Sequence, residues 1–272
     1  MTIAISLKVH NGVVLATDSA ASITAQSPDG QALGIVNVYQ NAEKLFHLCK
    51  TKPIGIITWG TGSISQYSIS HIIKDYRKQL TEQLGNEKFL IPEIAKSFSE
   101  FIKKLYDDSY KNWVGIKPSI GFLLAGYSDE NEFAEEWMFE IKNGNLSTPI
   151  LMRESNFCGM TWNGEPEAIS RMLLGTSPQL PKVLKEAGLE DDMIERIISL
   201  AQERLTVPFI IDAMPIKDAI DLAHFFVETA INFSKYSPGA QTIGGPIDIA
   251  AITKHEGFKW VSRKYYYNSE IN

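Results

Sequence analysis

The chain alternates from its first residues. In the stretch TIAISLKV, Ile3, Ile5, Leu7 and Val9 fall on one side of an extended backbone, and Thr2, Ala4, Ser6 and Lys8 on the other. That period of two predicts a strand. His10–Gly12 (HNG) is a tight-turn signal, and VVLATD follows as a second, more buried strand, so the chain opens with a β-hairpin. Residues 27–34 (SPDGQALG) read as an exposed loop rich in turn formers, with IVNVY a short strand in that excursion. Residues 44–48 (KLFHL) and 54–60 (IGIITWG) are apolar runs split by CKTKP, which predicts a second hairpin.

The period then changes. SISQYSISHIIKDYRKQL and IPEIAKSFSEFIKKLYDDSY predict two consecutive helices. In the second, Ile94, Phe98, Ile102 and Leu105 recur at helical spacing behind Pro92. SIGFLLAGYS predicts a buried strand, and NEFAEEWMFEIKNG another that ends in an Asn-Gly turn. SNFCGMTWNG leads into a helix from about Pro166. Residues 178–204 read as an inserted helical stretch punctuated by Pro181 and Gly188, with Ile194, Ile197, Ile198 and Leu205 on one face. IKDAIDLAHFFVETAINFSKY is a long amphipathic helix, and IDIAAIT and FKWVSR close the chain as strands around KHEG. Strand clusters joined as hairpins, alternating with helix clusters, predict an α+β fold with antiparallel sheets.

Composition narrows the function classes. A chain of 272 residues with 44% hydrophobic content suits one large globular domain, 1–272, carrying an insertion. Its formal net charge is −6 with the positive residues scattered, which argues against a nucleic-acid partner. No apolar run reaches the ~20 residues of a membrane span. No basic stretch followed by an apolar one marks a signal peptide, so a cytoplasmic protein is expected. Cys49 and Cys158 both sit beside apolar residues without a CxxC partner and read as reduced core thiols. His10, His47, His71, His224 and His255 form no HExxH or HxH pattern, so no metal site is expected.

Thr2 has two readings. It is an ordinary first strand residue, or, once Met1 is removed, it carries a free amine and a hydroxyl in one residue. Methionine aminopeptidases favour small second residues, and threonine qualifies. A threonine hydroxyl is a poor nucleophile until a base takes its proton. An α-amine with an ordinary pKa of about 7.7–8 is such a base.

Several stretches together resemble the proteasome β-subunit family of N-terminal-nucleophile hydrolases: Thr2 behind a removable Met1, NGVVLATDSAAS, EKLFHL with Lys44, ITWGTGS, and the hairpin FLLAGYSDENEFAEEWMFEI. The resemblance covers most of the chain and is most specific in the first sixty or so residues. It implies a four-layer αββα sandwich of two antiparallel sheets between helices. It also implies that Thr2 is the nucleophile. Lys44 would lower the pKa of the amine, Asp18 would hold that lysine, and the Gly60 backbone N–H would meet the oxyanion. No organic cofactor or metal is implied. A peptide or protein substrate and a homo-oligomeric ring or stack are implied, with the unfoldase partner, if any, left open.

The chain also departs from the family. The stretch from Ser22 to Lys44 is long. CGMTWNG stands where the family often has a glycine-serine pair, leaving Thr161 or Asn163 as substitutes. SKYSPGAQTIGGPIDI replaces the family's aspartate and serine, with Thr242 a stand-in. Lacking a long propeptide, the chain is closer to the simple bacterial, Anbu-like homologues than to eukaryotic subunits. The resulting expectation is a threonine-type peptidase. One rival is an amidase or acylase of the same fold, acting on a small amide. Another is a non-catalytic assembly subunit, which Met160 and SPGAQTIGG favour. Residues 265–267, three tyrosines, read as an edge strand or an assembly contact.

Overall fold

The computed structural model describes residues 2–26, 32–85, 87–113 and 115–264. Strands β1 (Ile3–Val9) and β2 (Gly12–Thr17) form the opening hairpin, and β3 (Ala21–Gln26) pairs with β4 (Ala32–Tyr39). A third hairpin joins β5 (Leu45–His47) to β6 (Ile54–Gly60). Short strands β7 (Ser63–Ile64) and β8 (Tyr67–Ser68) precede helices α1 (Ile69–Leu84) and α2 (Ile91–Ser109). Then come β9 (Ile120–Gly126), β10 (Glu135–Lys142), β11 (Asn145–Leu146), β12 (Ile150–Leu151) and β13 (Gly159–Gly164). Four helices follow: α3 (Glu167–Leu174), α4 (Leu180–Glu186), α5 (Asp191–Leu205) and α6 (Ile216–Tyr236). The described chain closes with β14 (Asp248–Thr253) and β15 (Gly257–Ser262).

These elements make a mixed fold of helices and antiparallel sheets. One sheet has five strands in the order β13-β1-β2-β14-β15. A six-stranded sheet runs β11-β10-β9-β6-β5, with β12 added beside β10. Register in the first sheet sets Ile5 opposite both Ala16 and Trp162. Asn143 and Gly144, at φ 51° and 81°, make the tight turn between β10 and β11.

Three apolar clusters hold the fold. On the first sheet, Ile3, Ile5, Leu7 and Val9 pack against Ala223, Phe226 and Val227 of α6. On its other face, Ala4, Val13 and Leu15 share a cluster with Ile57, Trp59 and Leu123 of the second sheet. The outer face of the second sheet meets α1 and α2, where Phe98 stands edge-on to Phe122 of β9 at 5.1 Å. Burying each such side chain contributes about 1.5–3 kcal/mol. β1 is therefore buried on both faces, and its polar side is not solvated: Ser6 and Lys8 are fully buried.

Several boundaries differ from the sequence pattern. Ser63–Ser68 forms the small β7–β8 turn instead of the start of a helix, because serines satisfy backbone groups at turns and caps. Ser68 then caps α1, its Oγ accepting from the His71 N–H at 3.1 Å. β4 begins at Ala32, inside the expected loop, and 27–31 lie outside the described residues. GMTWNG forms strand β13, whose polar and glycine content gives little strand signal. On α5 Ile194 is buried and Leu205 is exposed. Tyr265–Tyr267 lie outside the described residues, as does Met1. No described helix is long and apolar enough to cross a membrane.

Candidate active-site cleft

Asp18 directly follows β2 and is fully buried among donors. Oδ1 accepts from the Ile3 N–H at 3.0 Å and from Lys44 Nζ at 2.6 Å. Oδ2 accepts from the N–H groups of Ala20 and Gly244, each at 3.0 Å. These four donors match the lone-pair capacity of an ionised carboxylate. Two of them follow from the hairpin, which returns Asp18 beside the strand's first residues. Lys44 comes from the approach to β5, and Gly244 from the segment after α6.

Lys44 is nearly as buried as its partner. Burial pushes its pKa below the ordinary lysine value. The Asp18 charge and hydrogen bond oppose that shift without cancelling it, and the Lys264 charge adds to it. A second ion pair, Lys264 with Asp248, stands behind the first. Lys264 also donates to Ser19 Oγ at 2.6 Å, and Ser19 donates to the Pro246 carbonyl at 2.6 Å. Sequence reasoning missed this second layer and the Gly244 donor, since both come from the last thirty or so described residues.

Thr2, Lys44, Trp59, Gly60 and Thr242 all line one cleft of about 1150 Å³. Thr2 is buried, and its carbonyl accepts from the Glu165 N–H at 2.8 Å. Gly164 makes that approach feasible: a Cβ there would lie 1.9 Å from Thr2 O, and its φ is +97°. Trp59 lies against Gly121 on the neighbouring strand and donates through Nε1 to Glu140 at 3.1 Å. Gly60 turns the end of β6 at φ +94° and borders a second cavity of about 360 Å³, shared with Asn163 and Gly164.

The two residues considered as substitutes for the family's serine part company. Thr161 pairs with Ser6, well along β1 from Thr2. Its Oγ1 accepts from Arg153 Nη2 at 2.7 Å, within a buried network. There Arg153 pairs with Glu136, and Ser6 donates to Glu136 at 2.5 Å. Burial pushes Glu136 up against the pull of Arg153, Ser6 and Lys8. Asn163 sits opposite Ala4, and its buried Nδ2 has no hydrogen-bond partner among the described residues. Thr242 is buried and lines the cleft.

The cysteines differ from each other. Cys49 is fully buried, as expected, whereas Cys158 is only partly buried and so is not a core thiol. Burial, then the hydrogen bond and charge of Asp212, push its thiol up to about 11.

No protein-family profile matches the chain, and no curated protein sequence does. Solved structures do. The chain is similar to the Anbu (Gly-1) mutant from Hyphomicrobium sp. strain MC1, with a TM-score of 0.54 and 14% identity over 98% of this chain and 90% of that one. It is also similar to the Anbu complex from Pseudomonas aeruginosa, solved as a helical assembly, with a TM-score of 0.50 and 13% identity over 99% and 90%. The chain therefore shares the fold of these Anbu proteins.

Proposed function

We propose that this chain is a cytoplasmic, proteasome-like threonine hydrolase that cleaves peptide bonds through Thr2 after loss of Met1. We read the three apolar clusters as the seams of a four-layer αββα sandwich, and α4–α5 as an insertion in one domain spanning 1–272. The observation that carries the proposal is the buried Lys44–Asp18 pair, 2.6 Å apart, beside a cleft that Thr2 and Gly60 also line.

In this reading the Thr2 hydroxyl attacks the scissile carbonyl carbon. Its proton passes to the Thr2 α-amine, which delivers it to the leaving amine. The tetrahedral oxyanion meets the Gly60 N–H. Collapse leaves an ester on Thr2, and water, deprotonated by the same amine, hydrolyses it. Lys44 keeps the amine neutral by disfavouring a second positive charge, and Asp18 holds Lys44 in place. General-base assistance contributes about 10²–10⁴-fold in rate. A chain that keeps Met1 has an amide in place of the amine and forfeits that factor. Asn163 Nδ2, buried and without a hydrogen-bond partner among the described residues, is a further donor at the second cavity that Gly60 borders.

The test is intact mass followed by a β-lactone probe. Host-made protein is expected to lack Met1 and to take one adduct, mapped to Thr2 and abolished in Thr2→Ala. Met1 retained, or an adduct elsewhere, overturns the reading. It would favour the assembly-subunit alternative, which one observation supports: Gly164, with no side chain, stands opposite Ile3 beside the nucleophile. A peptide library set against small amides separates peptidase from acylase. A helical assembly is recorded for the Pseudomonas aeruginosa neighbour, and we propose that this chain also forms a homo-oligomeric ring or stack.

A further inference from the structure

Three loops meet at the end of β1 remote from Thr2. His10 in the β1–β2 turn, Cys158 just before β13 and Asp212 ahead of α6 each offer one ligand atom, and these atoms all lie within 4.8 Å of one another. The proposed hydrolysis uses none of them. The 7 residues of β1, roughly 23 Å at about 3.3 Å per residue, separate them from the nucleophile.

We propose that His10, Cys158 and Asp212 form a binding site for a zinc-class divalent ion, which pins the segment entering α6 to the β1–β2 turn. The donor set points to that class. Thiolate, imidazole and carboxylate together suit Zn²⁺, whereas Mg²⁺ and Ca²⁺ favour oxygen throughout. Zinc–ligand bonds of about 2.0–2.3 Å put tetrahedral neighbours about 3.3–3.8 Å apart. Closing from the present separations takes roughly an ångström, within reach of side-chain rotation. Three protein ligands leave the fourth position to water.

The surroundings hold the ligands ready. Cys158 lies one residue beyond the last β1–β13 pair, Lys8 with Gly159. The main chain before it is anchored by Lys8, whose Nζ donates to the carbonyls of Ser155 at 2.8 Å and Glu154 at 3.4 Å. His10 Nε2 lies 3.3 Å from the Asn156 carbonyl. A ligating imidazole characteristically gives its second N–H to such an oxygen. With the proton on Nε2, Nδ1 carries the free lone pair. Asp212 follows a segment fixed by Phe209, which stands edge-on to Phe226 of α6 at 5.3 Å. Spacing along the chain hid this cluster, because its members lie in three separate loops.

The experiment is a titration of chelator-treated full-length protein with Co²⁺, then Zn²⁺. The expected result is one ion per chain, with thiolate-to-cobalt charge-transfer absorption that Zn²⁺ bleaches and a rise in Tm with Zn²⁺. Cys158→Ser removes the band and the Tm rise, and Cys49→Ser keeps both. His10→Gln and exposed Asp212→Asn weaken binding by about tenfold or more. Circular dichroism verifies that each variant is folded. No charge-transfer band in the folded wild-type chain, or a band that survives Cys158→Ser, overturns the proposal. Neither result bears on Thr2, because probe labelling of Thr2 is read separately.

Discussion

Asp18 and Lys44 depend on each other because both are out of water. Removing one member of a buried pair leaves an uncompensated charge, which costs about 3–5 kcal/mol. Asp18→Ala is therefore expected to lower the urea-unfolding free energy by that amount. A loss below about 1 kcal/mol, the range of an exposed pair, would contradict the burial. Gly164→Ala tests a different contact. The added Cβ would lie 1.9 Å from Thr2 O, so the strand end must move. Under the proposed function, probe labelling of Thr2 falls at least tenfold while the protein stays folded by circular dichroism. Unchanged labelling would mean that the position of Thr2 does not depend on this approach. Asp18 and Lys44 were singled out by the family resemblance, while their 2.6 Å contact is set by the fold. Gly164 was not, since its importance comes from the strand it faces.

Glu43 ties three elements together at the cleft rim. It accepts from Ser70 and Lys74 of α1, and Arg263, just past β15, lies 3.7 Å away. Burial alone would raise its pKa. The hydrogen bonds from Lys74 and Ser70, with the Lys74 and Arg263 charges, outweigh burial and hold the carboxyl below its ordinary value. The unfolded chain then takes up the proton first as pH falls. The contribution of Glu43 is complete above the ordinary value of about 4.3 and is lost as pH drops from there through the lower folded value. Glu43→Gln should be less stable at neutral pH, with a shallower acid limb in thermal melts as pH falls below the ordinary carboxyl value of about 4.3. A variant limb as steep as wild type would contradict the assignment. The helices and most hairpins were legible at this scale because their periods are local. β13 and the β7–β8 turn were not, since their polar, glycine- and serine-containing residues carry no clear period.

The two large sheets approach closely at Gly55 of β6. A Cβ there would sit 2.7 Å from Leu15 Cδ1 and 2.9 Å from Ile252 Cδ1, both on the facing sheet. Gly55→Val should overpack this seam by about 1–3 kcal/mol, seen as a lowered Tm. At the other seam, Phe98→Ala empties the space between α2 and β9 and should cost about 3–5 kcal/mol. A near-neutral result at either position would mean that the layers are not packed as described.

By itself the sequence determined what depends on near neighbours. The alternation of β1, the 3.6-residue face of α2 with Ile94, Phe98 and Ile102, and the Asn143–Gly144 turn are written in adjacent side chains. The tertiary structure alone decided which distant polar groups meet. Gly244 donates to Asp18 from 226 positions away, Thr161 is drawn to Arg153 and away from Thr2, and His10 finds Cys158 and Asp212. Strand register and layer packing set those meetings. The polar groups they enclose then need partners from whatever loops the fold brings near, and no local pattern names those loops.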